Sequence, residues 1–407
     1  MTRETDVFIS GGGMVGLTLA LALARGGLEA VVADPMPVAA ALDAKFDGRV
    51  SALSYSSVRM FEVLGVWEHL APFAQPINDI LVSDAGLDRA PSPFTLHFDH
   101  REIGQPMGVI AENRYIRRAL HQALSATDGI ELVAPASARD FTITDAGVTA
   151  DLGPQGTLAA ALMVAAEGRD SPSREKMGIG LIGWSYPQWG IVATVAHEKP
   201  HEGTAYEHFL PSGPFAILPM TENRSSLVWT EREDLAPQML ALSEEAFNAE
   251  VARRFGNHLG ATEVVGPRWS YPLKFHLARG YVRDRFALAG VTAHGVHPIA
   301  GQGLNLGLKD VAALAEVLLD AARLGLDIGA VDVLKRYERW RRFDSAVMGL
   351  TMDAMNRLFS NDIAPIRAIR DLGLGIADRV GPLRRFLMRN AGGDIGKLPR
   401  LLKGEAA

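Results

Sequence analysis

The sequence predicts an α/β protein: a Rossmann-like dinucleotide-binding domain, interrupted by an inserted β-sheet domain and completed by C-terminal helices. Three observations predict it. Residues 5–34 read as strand, glycine turn, helix and second strand, with the turn spelled Gly11-Gly-Gly-Met-Val-Gly16 and an acid, Asp34, closing the unit. Residues 130–165 and 180–275 alternate in short runs broken by Gly and Pro, the period of half-buried strands. A second glycine turn, Pro298-Ile-Ala-Gly-Gln-Gly-Leu-Asn305, follows an apolar strand at 286–290 and leads into residues that read as helical to about 389.

The bulk properties are permissive. A chain of 407 residues, 48% hydrophobic and 22% charged, can bury a substantial core, and its length suggests two or three domains. A net charge of −6 argues against a nucleic-acid partner. With no cysteine, disulfides, thiolate-ligated haem, ordinary iron–sulfur clusters and cysteine nucleophiles are excluded, which fits a reducing cytoplasm. The chain enters an apolar strand at once, leaving no room for a signal peptide, and no apolar run approaches the roughly 20 residues of a membrane span.

Taken in order, Thr5-Asp-Val-Phe-Ile-Ser10 is the first strand, and residues 17–25 form a helix of small and apolar residues. Ala30-Val-Val-Ala33 is the second strand, stopped by Pro35. Residues 58–70 and 113–125 read as helices, 76–100 as short strands and turns, and 180–275 as strands interrupted by a helix near 243–256. The nucleotide domain is therefore assembled from 1–75, 101–180 and 276–330, the β-rich domain from 76–100 and 181–275, and residues 331–407 form a C-terminal helical segment.

Both glycine turns precede helices, where exposed N–H groups and the helix dipole seat electron-rich ligand atoms. In Gly11-x-Gly13-x-x-Gly16 the glycines permit a tight turn, close approach to a pyrophosphate and helix–strand packing. Asp34 is placed to accept hydrogen bonds from an adenosine ribose, which suits NAD or FAD better than NADP. The bland alternative is a tight turn without a ligand.

Gly11–Gly16, Asp47-Gly-Arg49, Glu167-Gly168 and the 290–310 segment together resemble the layout of the FAD-dependent aromatic hydroxylases of the para-hydroxybenzoate hydroxylase type. Asp47-Gly-Arg-Val-Ser-Ala-Leu-Ser54, Ala205-Tyr-Glu-His-Phe209, Gly213-Pro-Phe-Ala-Ile-Leu-Pro219 and His297-Pro-Ile-Ala-Gly-Gln-Gly-Leu-Asn-Leu-Gly307 are similar to the ubiquinone-biosynthesis branch. The resemblance implies that Gly11, Gly13, Met14, Val15 and Gly16 seat the FAD pyrophosphate, with Asp34 on the ribose. Arg49 would pair with the phosphates, and Asn113 or Arg114 would reach the same region; the alternative for each is an ordinary loop or helix residue. Gly301, Gly303, Leu304 and Asn305 would bring N–H donors to the flavin pyrimidine edge, and Pro298 would lie against the ring.

The resemblance also implies the chemistry: a monooxygenase using a flavin C4a-hydroperoxide to hydroxylate a prenylated phenol with O2, electrons coming from NAD(P)H or a separate reductase. No catalytic side chain and no metal site is expected, since the cofactor carries the reaction. His294 and His297 read as structural hydrogen-bonders or site residues. Tyr206, Phe209, Phe215 and Leu218 are expected to line the substrate pocket, or else to be sheet core.

Two positions depart from the family pattern. Where the family has Gly-Asp, holding ribityl hydroxyls of FAD, this chain has Gly290-Val291. Valine leaves a polar ligand group unpaired, at about 1–3 kcal/mol. The family's Asp-Gly reads Glu167-Gly168. These departures keep two alternatives open: a scaffold that binds FAD weakly or not at all in a ubiquinone-biosynthesis complex, and a flavin-dependent polyprenyl reductase on the same fold. Finally, residues 363–403 carry nine basic residues against three acids, leaving −12 for the remainder of the chain. Arginines interleaved with Ile366, Ile369, Leu372, Leu374, Val380, Leu383, Phe386 and Leu387 suggest a peripheral contact with the inner face of a membrane, or a helix covering the core.

Overall fold

The computed structural model describes residues 2–43, 45–84, 86, 95–361, 363–394 and 396–407. The chain begins with β1 (Thr2–Ser10), α1 (Met14–Arg25) and β2 (Ala30–Ala33). Val7, Phe8 and Ile9 are fully buried in succession, as expected of a parallel strand covered on both faces. A short α2 (Val38–Leu42) leads to β3 (Val50–Ser54). The helix expected over 58–70 is two helices, α3 (Tyr55–Val63) and α4 (Trp67–Leu70), because Gly65 at φ +64° ends the first, whose start Ser54 caps by accepting from the Ser57 N–H.

Next come β4 (Ala74–Ile77), β5 (Asp79–Asp84), β6 (Thr95–Asp99), β7 (Gly108–Glu112) and α5 (Asn113–Ser125). Strands β8 (Ile130–Val133), β9 (Asp140–Thr144), β10 (Gly147–Asp151) and β11 (Thr157–Ala165) lead through α6 (Pro172–Lys176) to the long β12 (Leu181–His197). After β13 (Thr204–Leu210), β14 (Gly213–Met220) and β15 (Arg224–Arg232), α7 (Ala236–Leu240) and α8 (Glu244–Phe255) precede β16 (Thr262–Ala278). Short strands β17 (Val282–Arg283), β18 (Phe286–Leu288) and β19 (His294–Gly295) lead into α9 (Gln302–Arg323). The helical remainder is α10 (Val331–Phe359), α11 (Ala364–Arg379), α12 (Gly381–Ala391) and α13 (Arg400–Lys403), broken where Gly325, Gly329, Pro365 and Pro382 interrupt it.

These strands form three sheets. The first runs β17-β18-β11-β1-β2-β8, with β10 and β9 attached antiparallel at β11. The second runs β19-β16-β12-β15-β14-β13-β5-β6, antiparallel except for β13 beside β5. The third is β3-β7-β4. The outer face of the second sheet is covered by α7 and α8, burying Phe215, Trp229, Phe247 and Phe255. Its inner face meets the third sheet, where Val50, Ala52 and Ile110 join Ala205, Phe209, Leu218 and Met220 in one cluster. The 286–302 segment stitches the two large sheets together: β18 ends in the first, β19 pairs with β16 in the second, and α9 follows.

Candidate active site

The first turn is built by steric necessity. A Cβ on Gly11 (φ +111°) would collide with the Ala166 carbonyl, and one on Gly16 with the Gly11 carbonyl. Gly13, by contrast, has nothing within 4 Å of its Cβ position and faces open space. Helix α1 starts at Met14 with no acid in its first turn, so its leading N–H groups are available to an anion. The Asp34 carboxylate braces the turn: Oδ2 accepts from Gly12 N (2.7 Å) and Oδ1 from Met36 N (2.8 Å). Each oxygen retains a lone pair for a ribose hydroxyl. The Val15 side chain is wedged beside Gly290 and Gly307, so only its backbone faces a ligand.

A cationic corner borders this turn. Arg49, more than half exposed, pairs with Asp47 (Nη2–Oδ2 2.6 Å), and Trp269 Nε1 donates to the Asp47 carbonyl (2.6 Å). Asn113 is engaged at Oδ1 by Ser51 Oγ (2.7 Å), while its N–H donates to the Arg49 carbonyl. Arg114 is committed elsewhere. It donates to Glu112 (2.7 Å) and the Tyr115 hydroxyl, over the Phe46 ring, and Glu112 also takes Arg224 (3.1 Å). Arg117 is the residue the sequence reading missed. Its buried Nε has no partner among the described residues, and burial together with repulsion from Arg49 lowers its pKa. His121, one turn further along α5, is lowered by burial and feels Asp34. The i, i+4 spacing of Arg117 and His121 was the available signal.

The second turn is held as rigidly. Gly301 adopts φ +62°, and α9 begins at Gln302, leaving the Gly303 and Leu304 N–H groups at its N-terminus. The Asn305 side chain is spent within the protein, which leaves the expected N–H donor role to its backbone. Its Oδ1 accepts from Ser54 N and Ser57 Oγ (2.9 Å each), and its Nδ2 donates to the Ala52 and Gly301 carbonyls. It fastens the turn to β3. His297, beside Pro298, accepts the Ile299 N–H at Nδ1, and burial pushes its pKa down to about 4, so it is neutral at pH 7. Its Nε2 is buried without a partner among the described residues.

Beneath both turns lies Asp310, fully buried. It accepts from Gly290 N (3.0 Å), His294 Nε2 (2.6 Å) and Arg341 Nε (2.9 Å). Glu167 has an equally full set of partners: Ser10, Ser171 and Ser173 hydroxyls and the Ser173 N–H. The longer acid thus caps α6 and ties it to β1. Val291 is 38% exposed, its carbonyl accepting from His276 Nε2 (2.8 Å).

The second sheet divides the expected pocket residues by strand parity. Phe209 and Leu218 lie on the inner face, in the cluster with Val50 and Ala52. Tyr206 and Phe215 lie on the outer face, packed with the core beneath α7 and α8, and do not line the cleft. A side-chain period of two cannot place residues three apart on one face of a regular strand.

Residues 4–346 match the model of a family described as "FAD binding domain". The ubiquinone hydroxylase UbiL of Rhodospirillum rubrum is 50% identical over 99% of this chain and 93% of its own length. The 3-demethoxyubiquinol 3-hydroxylase of Escherichia coli is 35% identical over 96% and 99%. The chain belongs to the FAD-dependent aromatic hydroxylases, in their ubiquinone branch. The fold of this hydroxylase is also that of p-nitrophenol 4-monooxygenase from Pseudomonas putida, with a TM-score of 0.79, 19% identity, and coverage of 98% and 100% of the two chains.

As a flavoprotein hydroxylase the chain uses FAD, and its residues fit that cofactor. Open space at Gly13, the unpartnered Arg117 Nε and the exposed Arg49 are the features that would hold its pyrophosphate. The α9 N-terminus past Gly303 suits an electron-rich ring edge, stabilised when negative charge appears on reduction.

Proposed function

We propose that this hydroxylase transfers one oxygen atom of O2 to the aromatic ring of a prenylated phenol in ubiquinone biosynthesis. The observation that carries the reading is the inner sheet face beside the second glycine turn. A Cβ at Gly301 would come within 2.9 Å of Ala52, and Ala52 packs in the cluster that holds Leu218, Ala205 and Phe209. A ring and an apolar tail are accommodated by such a wall, with few polar groups to fix orientation. Bound FAD supplies the activation of O2; the protein seats the cofactor, orients the phenol and excludes water. Electrons come from NAD(P)H or a separate reductase.

Turnover of a short-chain prenylated phenol under 18-O2 tests the reading, with one labelled oxygen expected in the product. Turnover without label supports the polyprenyl-reductase alternative, and a protein that stays colourless in excess FAD supports the scaffold alternative.

Among the described residues, no helix is long and apolar enough to cross a membrane. The basic tail is divided. Arg370 turns inward to the buried Asp84 (2.6 Å), Leu374 and Met388 join the inner cluster, and Leu401 and Leu402 enter the main core. The side chains of Ile366, Arg367, Ile369, Asp371 and Leu372 lie outside the described residues. Exposed Ile376, Val380, Leu383 and Phe386 remain, near Arg379, Arg385 and Arg389. We assign this face to peripheral contact with an anionic membrane, where a polyprenylated substrate resides. Leu383→Asp with Phe386→Asp is expected to abolish flotation on anionic liposomes without lowering the thermal midpoint; equal flotation would reject the assignment. Membership of a ubiquinone-biosynthesis complex is part of the same proposal.

A further inference from the structure

Cross-strand register on the inner face of the second sheet gives one row Val192, Val228, Ala216, Glu207, Val82 and Leu96. Glu207 is the one polar residue in it. Its Oε1 is sealed from solvent and has no hydrogen-bond partner among the described residues. The residue as a whole is half-buried, so part of it remains accessible. Buried polar groups are normally paired, so the orphaned Glu207 oxygen in an otherwise apolar row points to a polar group of a ligand.

Building on the phenol-hydroxylase reading, we propose that Glu207 receives the ring-hydroxyl proton of the substrate. The substrate O–H bond breaks and the proton passes to a Glu207 carboxylate oxygen. The electron pair stays on the ring oxygen and enriches the ring carbon that accepts oxygen.

The charged and titratable groups facing Glu207 are tied up or remote. Asp84 is bound to Arg370, and Arg224 to Glu112. Asp353 of α10 accepts from Trp184, Tyr186 and Arg357, while His297 and Tyr271 complete the set. None shifts Glu207; burial alone pushes its carboxyl up to about 8. A carboxyl in that range is poised to exchange a proton with a phenol near pH 8.

The test uses full-length, FAD-loaded protein and a short-chain 2-prenylphenol. Glu207→Gln is expected to lower kcat by about 100-fold, the scale of one general base, with far less effect on KM. It should also erase the rise of kcat with pH and the phenolate absorbance of the bound probe. Glu207→Asp should restore part of each. Without probe, wild-type stability should decline from about pH 4.3 to about 8, because the unfolded Glu207 ionises first, and Glu207→Gln should remove that decline. A folded Glu207→Gln with the wild-type pH profile would overturn the proposal. If wild type ionises the bound phenol through Glu207 but never hydroxylates it, the hydroxylase reading falls and the Glu207 assignment stands.

Discussion

Asp310→Ala is expected to lower the unfolding free energy by about 3–5 kcal/mol, the cost of breaking a buried ion pair on one side. Arg341 would be left buried with only Asp344 and Ser345, and His294 and the Gly290 N–H would lose their acceptor. Burial raises the Asp310 pKa, but the His294 and Arg341 charges outweigh it, so the carboxyl ends below its ordinary value. The sign follows: its stabilisation is present above the carboxylate range of the unfolded chain and is lost as pH falls through the lower folded value. Urea unfolding at pH 7 measures the loss, and repetition in acid should shrink it. The same substitution should release FAD, because the Gly290 turn hangs from this carboxylate. A variant that unfolds at the wild-type urea concentration would remove Asp310 from this account.

Val291→Asp is expected to tighten FAD roughly ten- to hundredfold. A carboxylate replacing an apolar partner gives a ligand hydroxyl an acceptor, about 1–3 kcal/mol, at about 1.4 kcal/mol per tenfold change. The side chain is exposed, and the residue is fixed by its carbonyl to His276. Stability without cofactor should therefore hardly change. Fluorescence titration of the two apoproteins with FAD decides; equal affinities would mean that the ribityl chain is held elsewhere.

Local signals in the sequence carried much of this architecture. The first βαβ unit was legible because glycine spacing, the apolar strand and Asp34 all act within thirty residues. Helix α5 was legible from its apolar period, and its bounds, Asn113–Ser125, match the reading. What escaped is non-local. Asn305 stood inside a recognised motif, but its partners Ser54 and Ser57 lie some 250 residues away. Glu167 departs from the family's aspartate by one methylene, and only its partners Ser10, Ser171 and Ser173 account for that length. Tyr206 and Phe215 stood as pocket lining or sheet core, and strand parity with Phe209 and Leu218 places them in the core of the other face. Glu207 lay unmarked inside a quoted motif because orphaned polarity becomes visible only once both strand neighbours are known.

The two-residue strand β19 has a consequence for chimaeras. His294 and Gly295 belong to the second sheet through Leu277 and His276, yet the chain on either side of them joins the first sheet and leads into α9. Replacing Gly295 is sterically barred, because a Cβ there would collide with the His276 ring. A graft that imports another hydroxylase's β12–β16 to change substrate must therefore import residues 294–295 as well. A splice at 278 alone would pair a foreign β16 edge with a native β19, and the first casualty would be flavin retention rather than substrate choice.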